Sequence, residues 1–357
     1  MGHQDSVFEN SRLNWLQTLR GVAALMVCCF HLRALLNEDY PLGEFLFSNG
    51  RLGVPLFFIV NGFIISYTTR AIPGDKPSEV FSFLLRRAIR IIPLYYLATF
   101  LWIFITGTFT LYFTEELPQL LLSLLFIPIG DYPPLYLGWT LNFEMFFYFL
   151  FGVCLFFGKN RHLVFFTAVL FLVFGYPFLH AQSPFAQDFS FTSVGKSTFA
   201  HPFQLLFASG VLLFLIFDKI STLKRYMLWV VPVFLLYFIW HYFKYPHFPF
   251  AELLACTLAV FAVLILEKIP FPPPPRFFIK TGDISYSIYL FHPAVIFGME
   301  KLFDAYGMEQ SIPGPVHFLV MLIAVWIASF SIHSFIEKRI MVVLGRNRIR
   351  EIMRPSL

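Results

Sequence analysis

Ten long apolar runs divide this chain, at residues 17–36, 52–69, 89–113, 136–157, 162–179, 201–217, 227–243, 251–266, 284–303 and 315–336. A hydrocarbon layer of about 30 Å takes about 20 helical residues to cross, and inside it every backbone N–H and C=O needs an internal partner. Runs of this length predict an all-α integral membrane protein, a bundle of ten transmembrane helices. Only 13% of the 357 residues are charged, against about 25% in a soluble domain. That shortage of polar surface excludes a disordered chain, a coiled coil, a secreted disulfide scaffold and an ordinary soluble enzyme. An eleventh stretch, residues 118–129, is too short: as a helix its 12 residues reach about 18 Å. It reads as a re-entrant or interfacial segment.

Charge orients the bundle. With the N-terminus inside, the inner segments hold 21 Lys/Arg against 9 Asp/Glu, and the outer ones 5 against 11. If residues 118–129 also crossed, the inner Lys/Arg would fall to 10. Basic residues favour the cytoplasmic side, so both termini are expected there. The predicted organisation is a cytoplasmic N-terminal segment (1–16), a transmembrane domain (17–336) and a basic cytoplasmic tail (337–357). The tail (Lys338, Arg339, Arg346, Arg348, Arg350, Arg354) either meets anionic lipid or only sets topology. No small-residue cleavage site follows the first run, which is expected to remain as a span. The proline run 270–275 reads as a stiff linker, and the polar outer loop 180–200 as a lid or strap. Cys28, Cys29, Cys154 and Cys256 lie inside apolar runs, lack metal-ligand spacing and read as packing residues.

Ionisable groups inside a bilayer cost at least about 2.5–3.5 kcal/mol and mark candidate sites. Arg20 and His31 stand eleven residues apart, three helical turns and about 16 Å, on one face of the first run. Arg87 and Arg90, at i and i+3, are either a snorkelling collar or a phosphate clamp. Glu144 is the only acidic residue squarely inside a run. Counted from the outer side it matches the depth of His31, so the two are expected to pair, with His31 as general base. His292 lies mid-run before Pro293, with Tyr286 and Tyr289 one turn apart; either they line a polar cavity or they pack. Gly50, Gly53 and Gly62 suit close helix packing, and Asn61 is an interhelical hydrogen-bonding or site residue.

These residues together resemble the membrane-bound acyltransferase-3 family over nearly the whole chain. Its Arg-x10-His signature matches Arg20 and His31, and its Arg-x-x-Arg element matches Arg87 and Arg90. Its Trp-Thr-Leu-Ser-x-Glu motif matches Trp139, Thr140, Leu141 and Glu144. Its Ile-Ser-Tyr-Ser-x-Tyr-Leu-x-His motif matches Ile284 to Leu290 and His292. Leu16–His31 is particularly similar to members that decorate bacterial exopolysaccharides. Pro55 stands where the family usually has Asp, and Asn61 and Asn142 where it usually has Ser.

The resemblance implies an O-acetyltransferase of the bacterial inner membrane. Its donor would be cytoplasmic acetyl-CoA, with no metal, and its acceptor a hydroxyl of a surface glycan (O-antigen or exopolysaccharide), either free or lipid-linked. Arg20, Arg87 and Arg90 would hold the coenzyme phosphates. His31, oriented by Glu144, would be catalytic as a base or as a transient acyl carrier. Trp139, Asn61, Tyr286 and His292 would line the substrate cavity. Membrane lipid is the expected surrounding; no nucleic-acid partner is implied. Some members carry an added extracytoplasmic hydrolase-like domain; this chain is expected to act without one or with a separate partner. Rival readings are another acceptor (peptidoglycan, a periplasmic glucan receiving succinyl, a small lipophilic molecule) or a transporter of acyl groups or glycan intermediates. Against the transporter stand the lack of an internal repeat and of broken helix pairs.

Overall fold

The computed structural model describes residues 13–37, 40–74, 76–128, 132–176, 178–179, 199, 201–220, 228–244, 249–269, 271–308 and 312–344. Residues 1–12, nearly all of the loop 180–200, Pro270 and the tail beyond 344, with Arg346, Arg348, Arg350 and Arg354, lie outside the described residues. Among the described residues every regular element is helical: α1 (Asn14–Leu32), α2 (Leu42–Phe47), α3 (Gly53–Thr69), α4 (Pro77–Thr106), α5 (Leu117–Leu124), α6 (Gly138–Leu155), α7 (Arg161–Leu170), α8 (Gln204–Ile220), α9 (Val230–Phe243), α10 (Pro249–Lys268), α11 (Arg276–Asp283), α12 (Ser285–Ala305) and α13 (Gly314–Ile332).

Among the described residues, six helical stretches are long and apolar enough to cross a bilayer: Asn14–Leu36, Leu42–Thr69, Pro77–Thr106, Gly138–Leu155, Phe250–Lys268 and Gly314–Leu344. The other expected spans are less clear-cut as helices. The α7 helix has 10 residues before a π turn, α8 has 17 and α9 has 14. The 21 residues of α12 include Glu300, Lys301 and Asp304. Residues 118–129 contain most of α5, eight residues long. It is tied to α4 by the Tyr95–Ser123 hydroxyl pair (2.6 Å) and by the Tyr96 hydroxyl donating to the Leu124 carbonyl (2.9 Å).

Local sequence sets the helix ends. Proline occupies the first turn of α4, where its missing N–H costs nothing, and Gly107 closes that helix at φ +74°, a conformation that favours glycine. Helices meet where side chains are absent. A methyl added at Gly62 of α3 would lie 2.1 Å from the Phe207 carbonyl of α8, and one at Gly210 would lie 2.0 Å from that of Ile59. The α3 and α8 backbones touch through this pair, with Phe58, Phe207 and Phe147 stacked beside them (4.5 and 4.2 Å between centroids). Gly21 of α1 and Gly282 of α11 make a second close crossing. Lipid offers apolar side chains as good a home as a neighbouring helix does, so close packing, rather than burial from water, holds such helices together. The outward faces stay apolar: Leu236 and Phe104 are exposed.

Candidate active site

Five helices, α1, α3, α4, α6 and α12, converge on two adjoining cavities. The smaller, about 40 Å³, is lined by Arg20, Asn61, Arg90, Thr140, Glu144 and Tyr286, with Phe57 and Phe58 as apolar wall. It has room for a few waters at most. The larger, about 400 Å³, lies at the other end of α1, with His31, Arg51, Tyr132, Tyr136 and Trp139 on its surface. That is the size of a small-ligand pocket. Val54 and Tyr289 line both cavities and form the wall between them.

The small cavity is cationic. Two guanidiniums, Arg20 and Arg90, line it against one carboxylate, Glu144, with Arg87 and Glu337 close behind the lining. Arg20 is 9% exposed; its Nη1 donates to Gln17 (3.1 Å), while its buried Nε has no hydrogen-bond partner among the described residues. Arg90 hydrogen-bonds to none of them either. Arg87 points past the cavity: its Nη2 donates to the Thr68 hydroxyl (3.0 Å), and its guanidinium lies over the rings of Phe83 and Tyr148 (5.6 Å each). Of the expected clamp, then, Arg20 and Arg90 line one pocket, and Arg87 braces it.

Glu144 does not pair with His31. Its Oε1 accepts from Asn61 Nδ2 (3.0 Å) and from the Tyr148 hydroxyl, one turn along α6. Helical rotation, which depth alone does not reveal, turns Glu144 toward the arginines. His31 meets other groups: Tyr136, whose hydroxyl is 3.4 Å from Nδ1, and the ring of His292, 5.1 Å away between centroids.

The four expected cavity residues divide. Asn61 and Tyr286 border the small cavity and Trp139 the large one. His292 lines neither; it is fully buried behind His31, its Nδ1 turned onto the carbonyls of Tyr289 (2.8 Å) and Ile288 (3.1 Å). Pro293 explains this placement, because it leaves the Tyr289 carbonyl without its helical donor.

Sequence reasoning missed Glu337, which counts there as part of the tail. A π turn at His333–Glu337 swings it inward, where it accepts from the Ser287 hydroxyl (2.8 Å) and pairs with His333 Nδ1 (2.7 Å). Such turns recur at functional sites, but no residue pattern announces this one. Tyr148 did carry a signal, its i+4 spacing from Glu144.

A family model described as an acyltransferase domain matches residues 13–334. This chain belongs to the acyltransferase-3 family. The six long apolar helices among the described residues make it a multi-pass membrane protein. The chain is similar to the exopolysaccharide production protein ExoZ of Rhizobium meliloti, 36% identical over 126 residues. That match spans 33% of this chain and 38% of ExoZ, well under two thirds of the relative. It is also similar to a protein of Acidianus two-tailed virus named Putative acetyltransferase ORF330, 24% identical over 303 residues, 81% of this chain and 84% of that one. No solved structure matches.

Proposed function

We propose that this acyltransferase moves acetyl from cytoplasmic acetyl-CoA to a hydroxyl of a bacterial surface glycan, exopolysaccharide or O-antigen, at the inner membrane. The observation that carries the reading is the shared wall. A pocket with unused guanidinium donors abuts, through Val54 and Tyr289, a chamber that holds an imidazole. Arg20 and Arg90 offer N–H groups to an anion, either the coenzyme's phosphates or the oxyanion that develops at the acyl carbon. Glu144, held by Asn61 and Tyr148, keeps that pair in place by its charge. His31 takes the proton of the acceptor hydroxyl. Trp139, Tyr132 and Tyr136 present flat apolar faces to a sugar ring, and Tyr286 braces α12 against the Ile91 carbonyl of α4 (3.3 Å). The likeness to ExoZ supports a polysaccharide acceptor, free or lipid-linked.

The membrane arrangement belongs to the same reading: ten spans, residues 118–129 not crossing, both termini cytoplasmic, and domains at 1–16, 17–336 and 337–357. Arg20 and Arg90 then sit toward the cytoplasm, the side of the coenzyme, and His31 toward the outer face. Mass spectrometry of surface glycan from strains with and without this protein tests the reading. Loss of O-acetyl groups on deletion is expected. Unchanged ester content in every surface glycan would overturn it. Release of labelled acetyl from acetyl-CoA by purified protein separates an enzyme from a transporter.

A further inference from the structure

A His-Pro pair inside α12 fixes the protonation pattern of a buried ring. Pro293 has no N–H, so the Tyr289 carbonyl four residues back loses its helical donor. His292 Nδ1 takes that place at 2.8 Å, shared with the Ile288 carbonyl at 3.1 Å. A carbonyl only accepts, so Nδ1 carries the proton, and in the neutral ring Nε2 carries the lone pair. This Nε2 is buried and has no hydrogen-bond partner among the described residues. The imidazole in front of it belongs to His31, with ring planes inclined at 39° and centroids 5.1 Å apart. Two imidazoles joined by an N–H···N bond of about 3 Å have centroids about 5 Å apart, so a turn of one ring joins them.

We propose that His31 and His292 form a two-imidazole base, in which His292 Nε2 receives one N–H of His31 while the other His31 nitrogen takes the acceptor's proton. This rests on the acyl-transfer reading above. In the step, the acceptor O–H breaks and its proton goes to His31. The freed oxygen bonds the acyl carbon, the thioester C–S bond breaks, and the proton passes to the departing thiolate. Both rings end neutral.

His292 touches no reacting atom and is a positioning residue. Its role follows from what surrounds the pair. Tyr136 faces it from the segment before α6, Tyr289 from α12, Arg33 from the end of α1, paired with Glu44 (2.8 Å), and Arg51 from the turn before α3, paired with Glu252 (3.2 Å). Among the described residues no carboxylate hydrogen-bonds either ring; Glu44 and Glu252 are held by the two arginines instead. Beside the Tyr136 hydroxyl, 3.4 Å from His31 Nδ1, the His292 Nε2 lone pair is the acceptor left for an imidazolium here.

The test uses purified protein in lipid vesicles with labelled acetyl-CoA and glycan from the deletion strain. His292→Phe keeps the ring's bulk without the acceptor. It is expected to slow transfer at least about tenfold and to move the acid limb of the pH–rate profile to lower pH, because protonated His31 loses its acceptor. The KM for acetyl-CoA should not change. His292→Gln, which keeps an acceptor oxygen, should recover part of both. A wild-type rate in His292→Phe, or a slower rate with the acid limb unmoved, would overturn the pair. If the wild-type protein transfers no acetyl at all, the acyl-transfer reading falls instead. Nitrogen-15 spectra of histidine-labelled protein then decide the pairing: His31→Ala must move the His292 Nε2 resonance, and an unmoved resonance rejects it.

Discussion

Arg20 and His31 share one face of α1, yet they open onto different cavities, because about 16 Å of helix separates them. Glu144 belongs to the Arg20 cavity, held by Asn61 and Tyr148, and His31 to the other. Residues in separate units lose activity independently, whereas members of one unit do not. Glu144→Gln is therefore expected to raise the KM for acetyl-CoA and His31→Ala to lower kcat by about 10² or more. The double variant should show the product of the two losses. A double variant no worse than His31→Ala would restore the direct pairing that depth alone suggests. Arg90 makes the same kind of distinction: Arg90→Lys keeps the charge but not the planar fork of donors. Weaker acetyl-CoA binding, by about tenfold, is expected in equilibrium titration, against no change if Arg90 is only a collar.

Two helices owe their part in the site to a break in regularity. In α12, Pro293 frees the Tyr289 carbonyl and so turns His292 toward the backbone and its Nε2 away from it. Pro293→Ala restores an N–H that competes for this carbonyl. Circular dichroism should show helix content retained or raised, while the transfer rate falls about tenfold, equivalent to about 1.4 kcal/mol of barrier. An unchanged rate would mean that His292 is held by packing alone. At the end of α13, the π turn at His333–Glu337 adds a residue to one turn and rotates Glu337 inward onto Ser287. Without that turn Glu337 would leave Ser287, and Arg20 and Arg90 would lose a balancing charge.

On the scale of the whole molecule, close backbone contact sets how the helices stand. The α3–α8 crossing at Gly62 and Gly210 and the α1–α11 crossing at Gly21 and Gly282 pin the framework that brings five helices to the site. The ten-span arrangement makes a testable statement about sidedness. Single cysteines placed at Lys159 and Lys268, in a variant with the native cysteines replaced, should be protected from an impermeant thiol reagent in intact cells. Cysteines at Glu116 and Asp304 should react. Reaction at Lys159 would show that residues 118–129 cross and that every later segment is inverted.

The apolar runs determined that this chain is helical and belongs in a membrane, because a bilayer admits few other ways of satisfying the backbone. The spacings of Arg20 with His31 and of Arg87 with Arg90, and the Trp139–Glu144 and Ile284–His292 motifs, named the family. They were legible because each depends on residues close together in one helix. Tertiary structure alone decided the partners. Glu144 turns to Asn61 and Tyr148, His31 to His292, and Glu337 comes in from beyond the last expected span. Those choices depend on the rotation of one helix against another and on an extra residue in a single turn. The backbone crossings at glycine set the first of these, and hydropathy is blind to both.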